Sequence, residues 1–161
     1  MITAADIRRV LPHRYPMLLV DAVTELVPGE RLTARKAVTV NEPWYAGLPD
    51  DLRAEQLAYP EVLLLESWAQ AAGLLATWAE PNPDVLAGKV MLFGGMSGVE
   101  YLRPVLPGDV VEHRVTVQRA LSDTVMFEGD SAVDGATVMT VSRMVMAFRP
   151  AGVLRPASLD S

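Results

Sequence analysis

The sequence predicts an α+β fold in which a curved antiparallel sheet wraps around one long central helix. Three observations carry that expectation. A run of helix formers from Pro60 to Glu80 is apolar on nearly every face, β-rich stretches flank it and are joined by tight-turn pairs, and 161 residues suit one domain. Half of the residues are hydrophobic and 21% are charged, so the chain can bury a core, and disordered, collagen-like and low-complexity scaffolds are excluded.

Thr3 and Asp6 resemble a helix N-cap, and a short helix is expected to about Val10, where Leu11-Pro12 stops it. Met17 to Val27 and Arg31 to Val40 are β-rich, and Pro28-Gly29 between them combines a fixed and a permissive φ suited to a hairpin. From Asn41 to Tyr59 the pattern dissolves into Pro, Gly, Asp and aromatics, a loop long enough to wall a site. Pro60 then sits where a first-turn proline would, Glu61 suits the positive end of the helix dipole, and Pro81 and Pro83 lie beyond Glu80. Val62, Leu63, Leu64, Leu65, Trp68, Leu74, Leu75 and Trp78 cannot share one stripe, so this helix must be wrapped. Val90 to Met96, Val110 to Leu121, Thr124 to Val133 and Thr137 to Phe148 read as strands, with Pro107-Gly108, Ser122-Asp123 and Asp134-Gly135 as turns. A single domain is expected over residues 1–150, with 151–161 a flexible tail.

Fourteen Lys and Arg against 20 Asp and Glu give a net charge of −6, which argues against nucleic acid or an anionic bilayer as the main partner. Without cysteine there is no disulfide, thiolate nucleophile or thiolate metal site, and two histidines leave little for another, so neither metal nor cofactor is expected. The first residues lack the basic and apolar regions of a secretory signal, and the apolar run Val62 to Ala79 carries Glu66 and Gln70 near its middle. A cytoplasmic location without a membrane span is the expectation.

Glu66 is the most informative residue, because a carboxyl group on an apolar helix is desolvated and favours its neutral, proton-donating form. The alternative is a carboxyl capped by a backbone donor or facing a hydrated interface. Gln70 lies one helical turn later on the same face and could orient the acid or serve the fold. His13 stands in a turn between two prolines, where imidazole more often satisfies backbone groups than abstracts protons. His113 alternates with valines on one strand face and reads as packed. Phe93-Gly94-Gly95-Met96 puts two glycines in a strand, which marks a bulge or a close approach to a ligand. Ser67 and Ser97 have no base nearby in sequence, so a serine hydrolase is a weak reading.

Four segments together resemble the hotdog-fold family of (3R)-hydroxyacyl-acyl-carrier-protein dehydratases of fatty acid synthesis. They are Leu11-Pro12-His13-Arg14-Tyr15-Pro16-Met17-Leu18-Leu19-Val20-Asp21, Asn41-Glu42-Pro43-Trp44-Tyr45, Val62-Leu63-Leu64-Leu65-Glu66-Ser67-Trp68-Ala69-Gln70-Ala71-Ala72-Gly73 and Arg103-Pro104-Val105-Leu106-Pro107-Gly108-Asp109. The resemblance implies dimers whose sites straddle the subunit interface and act on phosphopantetheine-linked substrates of an acyl carrier protein. It also implies a loop histidine as base, a helix carboxylate from the other subunit as acid, here Glu66, and backbone N–H groups at Gly95 and the helix start, here Glu61, polarising the thioester carbonyl. Leu48, Phe93 and Trp68 are expected to form the acyl pocket.

The sequence departs from that pattern. The family's Gly-His-Phe-Pro reads Gly47-Leu48-Pro49-Asp50, no histidine occurs between Asn41 and Glu66, and a basic carrier-contact position reads Glu100. A homodimer is therefore expected to lack a complete site. The leading expectation is a dehydratase-like subunit of fatty acid or polyketide synthesis that forms a heterodimer with a histidine-bearing hotdog partner. Second comes a hotdog thioesterase using Glu66, Asp50 or Asp51 to activate water, and third a non-catalytic acyl-binding or scaffold member.

Overall fold

The long helix, α2, spans Glu61–Thr77 in the computed structural model, which describes residues 1–154. It stops short of the expected Glu80 because Pro81 has no N–H to offer the Thr77 carbonyl and disfavours helical geometry at the residue before it. Pro60 is the N-cap, its carbonyl accepting from the Leu63 and Leu64 amides at 2.9 and 3.0 Å. Leu64, Trp68, Ala71, Leu74 and Leu75 are buried against the sheet, but Val62 is exposed and Leu63, Leu65 and Trp78 are only half-buried, so the single chain does not wrap the helix on every face as expected.

Around α2 runs one seven-stranded antiparallel sheet in the order β1-β2-β3-β5-β6-β7-β4. Its strands are β1 (Ile2–Thr3), β2 (Ala22–Val27), β3 (Arg31–Ala37), β4 (Lys89–Tyr101), β5 (Val110–Ala120), β6 (Thr124–Val133) and β7 (Ala136–Pro150). The short helix α1 covers Ala4–Val10, opened by the expected Thr3 and Asp6 pair. Asp134 and Gly135 both take positive φ, 50° and 78°, the geometry of a two-residue hairpin turn whose twist matches its strands.

Several boundaries differ from the sequence reading. β2 begins at Ala22 rather than Met17, because the backbone of residues 17–19 bonds to the Arg14 carbonyl and to side chains of α2 instead of to a neighbouring strand. β4 runs on through the glycine pair to Tyr101, its register shifting between Phe93 and Gly95, so the expected bulge bends the strand without ending it. The first residues of the expected tail, Ala151–Leu154, form a 3₁₀ turn, with Ala151 buried and its amide donating to the Gly88 carbonyl. The remainder of that tail lies outside the described residues.

The Asn41 to Tyr59 loop is held from beneath. Lys36, only 4% exposed, places its ammonium 3.1 Å from Glu42 and 5.2 Å from the centre of the Tyr59 ring, while the Tyr59 amide donates to the Val105 carbonyl. A buried cation with both a carboxylate and a ring face is well compensated.

Trp68, expected in the acyl pocket, belongs to the core instead. It is fully buried, its indole N–H donates to the Arg114 carbonyl at 3.2 Å, and β6 passes so close that only glycine fits at position 129. A Cβ on Gly129 would collide with that same carbonyl and lie 3.2 Å from the Trp68 ring. Gly129→Ala is therefore expected to cost about 1–3 kcal/mol through overpacking, read as a lower denaturation midpoint.

Candidate active site

The site begins with Gln70, whose carboxamide ties the segment after α1 to α2. Its oxygen accepts from the Leu19 amide at 2.9 Å, and its nitrogen donates to the Met17 carbonyl at 2.7 Å and to Glu66 Oε1 at 2.8 Å. Both residues project from one helix face, as residues four apart do.

The same tie carries His13 to the carboxyl. Its Nε2 lies 3.4 Å from Glu66 Oε1, with the side chains 30% and 35% exposed. Glu66 is thus less desolvated in the single chain than its apolar neighbours in sequence suggest. Arg14 locks the turn that holds His13, donating to the carbonyls of Arg8, Leu11 and His13 at 2.9, 2.7 and 2.7 Å. Burial moves the His13 pKa below its usual 6.5, opposed by the Glu66 charge and assisted by Arg14.

A cavity of about 590 Å³ opens above these groups. Among the described residues lining it, His13, Glu66 and Gln70 are polar, and the rest are apolar side chains such as Leu63, Met91, Phe93, Met96 and Met146. An acid, an imidazole and an amide converging in an apolar cleft can move protons on an otherwise greasy ligand. A second cavity, about 760 Å³, lies toward the far end of α2 and shares His13 and Met91 with the first.

The other expected site residues fall as follows. Phe93 lines the cavity and is 66% exposed on β4, an edge strand. Leu48 is exposed on the loop and does not line the cavity of the single chain, because the 46–51 stretch carries no side chain inward. Gly95 lies at the β4 bulge and Glu61 at the first turn of α2, and neither lines the cavity. Sequence reasoning undervalued His13, whose approach to Glu66 depends on a tertiary tie that spacing along the chain does not reveal.

His113 is fully buried, Nδ1 2.7 Å from Ser131 Oγ and Nε2 2.8 Å from Ser67 Oγ. Because the Ser67 hydroxyl donates to the Leu19 carbonyl at 3.4 Å, Nε2 carries the ring proton and Nδ1 accepts from Ser131. Among the described residues no group of three His, Asp or Glu could hold a metal ion, and no helix is long and apolar enough to cross a membrane.

The FabA-like domain family matches residues 11–142. The 3-hydroxyacyl-[acyl-carrier-protein] dehydratase FabZ of Teredinibacter turnerae is 38% identical over 150 residues, covering 90% of this chain and 99% of that protein. Its namesake from Myxococcus xanthus is 42% identical over 134 residues, covering 83% of each. Among solved structures, the dehydratase heterocomplex ApeI:P from Xenorhabdus doucetiae superposes with a TM-score of 0.73 at 19% identity, over 92% of this chain and 93% of that one. A hot-dog-like protein from Thermanaerovibrio acidaminovorans gives 0.60 at 20% identity, over 80% and 87%. The fold is thereby the hotdog.

Burial pushes the His113 imidazole down to about 3, and the Lys36 charge adds to this. The unfolded chain takes up the proton near pH 6.5, so the stability contributed by neutral His113 is complete above that pH and is lost as pH falls toward 3. The loss is expected to reach about 2 kcal/mol by pH 5. Denaturation curves of wild type and His113→Gln should converge by that amount on acidification.

Proposed function

Since the chain belongs to the FabA-like domain family, we propose that it dehydrates 3-hydroxyacyl thioesters carried on the phosphopantetheine arm of an acyl carrier protein, in cytoplasmic fatty acid or polyketide synthesis. The observation that carries this reading is the Glu66 carboxyl, fixed by Gln70 in an apolar cavity.

The elimination needs two proton transfers. A base removes a proton from the α-carbon, the electron pair forms the α–β double bond, and Glu66 protonates the departing β-hydroxyl so that it leaves as water. Glu66 is left as a carboxylate and the base as its conjugate acid, and the two are reset by proton exchange with solvent. Negative charge on the thioester oxygen during the first transfer is met by backbone N–H groups, for which Gly95 at the bulge and Glu61 at the helix start are the candidates.

The base comes from a second hotdog subunit. The loop that would carry it here, between Asn41 and Glu66, holds no histidine, and ApeI:P is a dehydratase built as a heterocomplex. The free edge of β4 and the helix start offer such a subunit an apolar face, with Val62 70% and Phe93 66% exposed. Strand addition along β4 would close the cavity from its open side.

The test assays enoyl product from a 3-hydroxyacyl carrier protein with this chain alone, with a FabZ-type subunit that keeps its loop histidine but has lost its helix carboxylate, and with both. Only the mixture is expected to turn over, and Glu66→Gln in this chain should lower its rate by about 10²–10⁴-fold. Full activity of the Glu66→Gln mixture overturns the assignment of the acid, and full activity of this chain alone overturns the need for a partner.

A further inference from the structure

The geometry points to His13 as a positioning residue for Glu66: together with Gln70 it fixes Oε1, so that the proton passed to the substrate is carried on Oε2. This deepens the reading of Glu66 as the acid and rests on it.

The ring has two nitrogens, and their surroundings divide the possibilities. Nδ1 is buried without a hydrogen-bond partner and so cannot reach a ligand in the cavity. Nε2 is turned toward Glu66 Oε1 at 3.4 Å. A buried, unpaired acceptor costs less than a buried, unpaired donor, so the ring proton belongs on Nε2, directed at the carboxyl. The separation is long for a hydrogen bond at rest, as such contacts often are before substrate binds, and it tightens as negative charge develops on Glu66.

Gln70 donates to the same oxygen at 2.8 Å. Two donors converging on Oε1 occupy its lone pairs and stabilise the carboxylate that remains after the proton has left. They also select which oxygen is protonated, because a carboxyl proton on Oε1 would point at two N–H groups. The locked turn provides the stiffness this role requires: Arg14 ties the carbonyls of Arg8, Leu11 and His13 together, so the imidazole is delivered by a fixed backbone.

The charged groups around His13 are Glu66 from α2, Arg14 in its own turn, and Glu80 and Lys89, which line the second cavity that His13 also borders. Burial is the largest influence and favours the neutral ring, the form that donates from Nε2 alone; the Glu66 charge opposes this and Arg14 supports it. Protonation of the ring at acid pH would place a cation against the carboxyl, which gives the activity an acid limb that belongs to His13.

The test compares wild type with His13→Ala and His13→Gln, the latter keeping an N–H near the position of Nε2. His13→Leu replaces His13→Ala if the smaller residue costs the fold. The first readout needs no turnover: the side-chain carboxyl resonance of Glu66, identified by its loss in Glu66→Gln, is titrated by carbon-13 NMR. Its titration should move in His13→Ala and return toward wild type in His13→Gln. In the active mixture, His13→Ala should lower kcat by about 10- to 100-fold with little change in KM, and His13→Gln should recover most of that while losing the acid limb. An unchanged Glu66 titration, or an unchanged kcat, overturns the inference. Activity that survives Glu66→Gln instead overturns the assignment of the acid, and the titration still decides whether His13 holds Glu66.

Discussion

The three hydrogen bonds of one carboxamide set the site. Gln70 replaces strand partners for the backbone around Met17 and Leu19 and at the same time holds Glu66 Oε1, so the strap that follows α1 and the acid of α2 are fixed by the same group. Being almost fully buried, that amide cannot lose a partner to water without leaving a polar group unsatisfied. His13 is the side chain that gains its position from this arrangement: with the strap docked it lies against the carboxyl, and without it nothing in the local sequence would bring the two together.

The central helix was legible in the sequence because its apolar residues exceed one stripe, although the single chain leaves the Val62 face uncovered. The hairpin turns were legible because Pro28-Gly29 pairs a fixed φ with a permissive one and Asp134-Gly135 tolerates positive φ at both positions. What could not be read was the competition for backbone groups. Met17 to Leu19 has strand composition, but the Met17 and Leu18 amides go to the Arg14 carbonyl, the Leu19 amide and Met17 carbonyl to Gln70 and the Leu19 carbonyl to Ser67, so β2 starts later. The contact between Trp68 and Gly129 was equally hidden, since a glycine inside a strand reads the same whether it makes room for a ligand or for an indole.

Of the site, Glu66 and Gln70 were legible as a carboxyl and an amide one turn apart on an apolar helix. The resemblance placed Trp68 in the pocket, and apolar character along the helix does not say which face meets the cavity; the residue lies in the core. The resemblance placed Leu48 in the pocket, and the single chain holds it on the exposed part of the loop. His13 was undervalued because prolines on both sides suggested a purely local role, while Arg14, the next residue, took the carbonyls that would have occupied it.

The buried Lys36 and Glu42 pair has a consequence for how the molecule can change over evolutionary time. The anchors of the long loop, Lys36, Glu42, Tyr45 and Tyr59, are withdrawn from solvent, while every residue from Ala46 to Asp51 is exposed. The anchors tolerate little, since removing one ion would strand its counterpart, but the crest can exchange its residues without disturbing the foundations. Such a division lets the loop drift in sequence while its architecture stays whole.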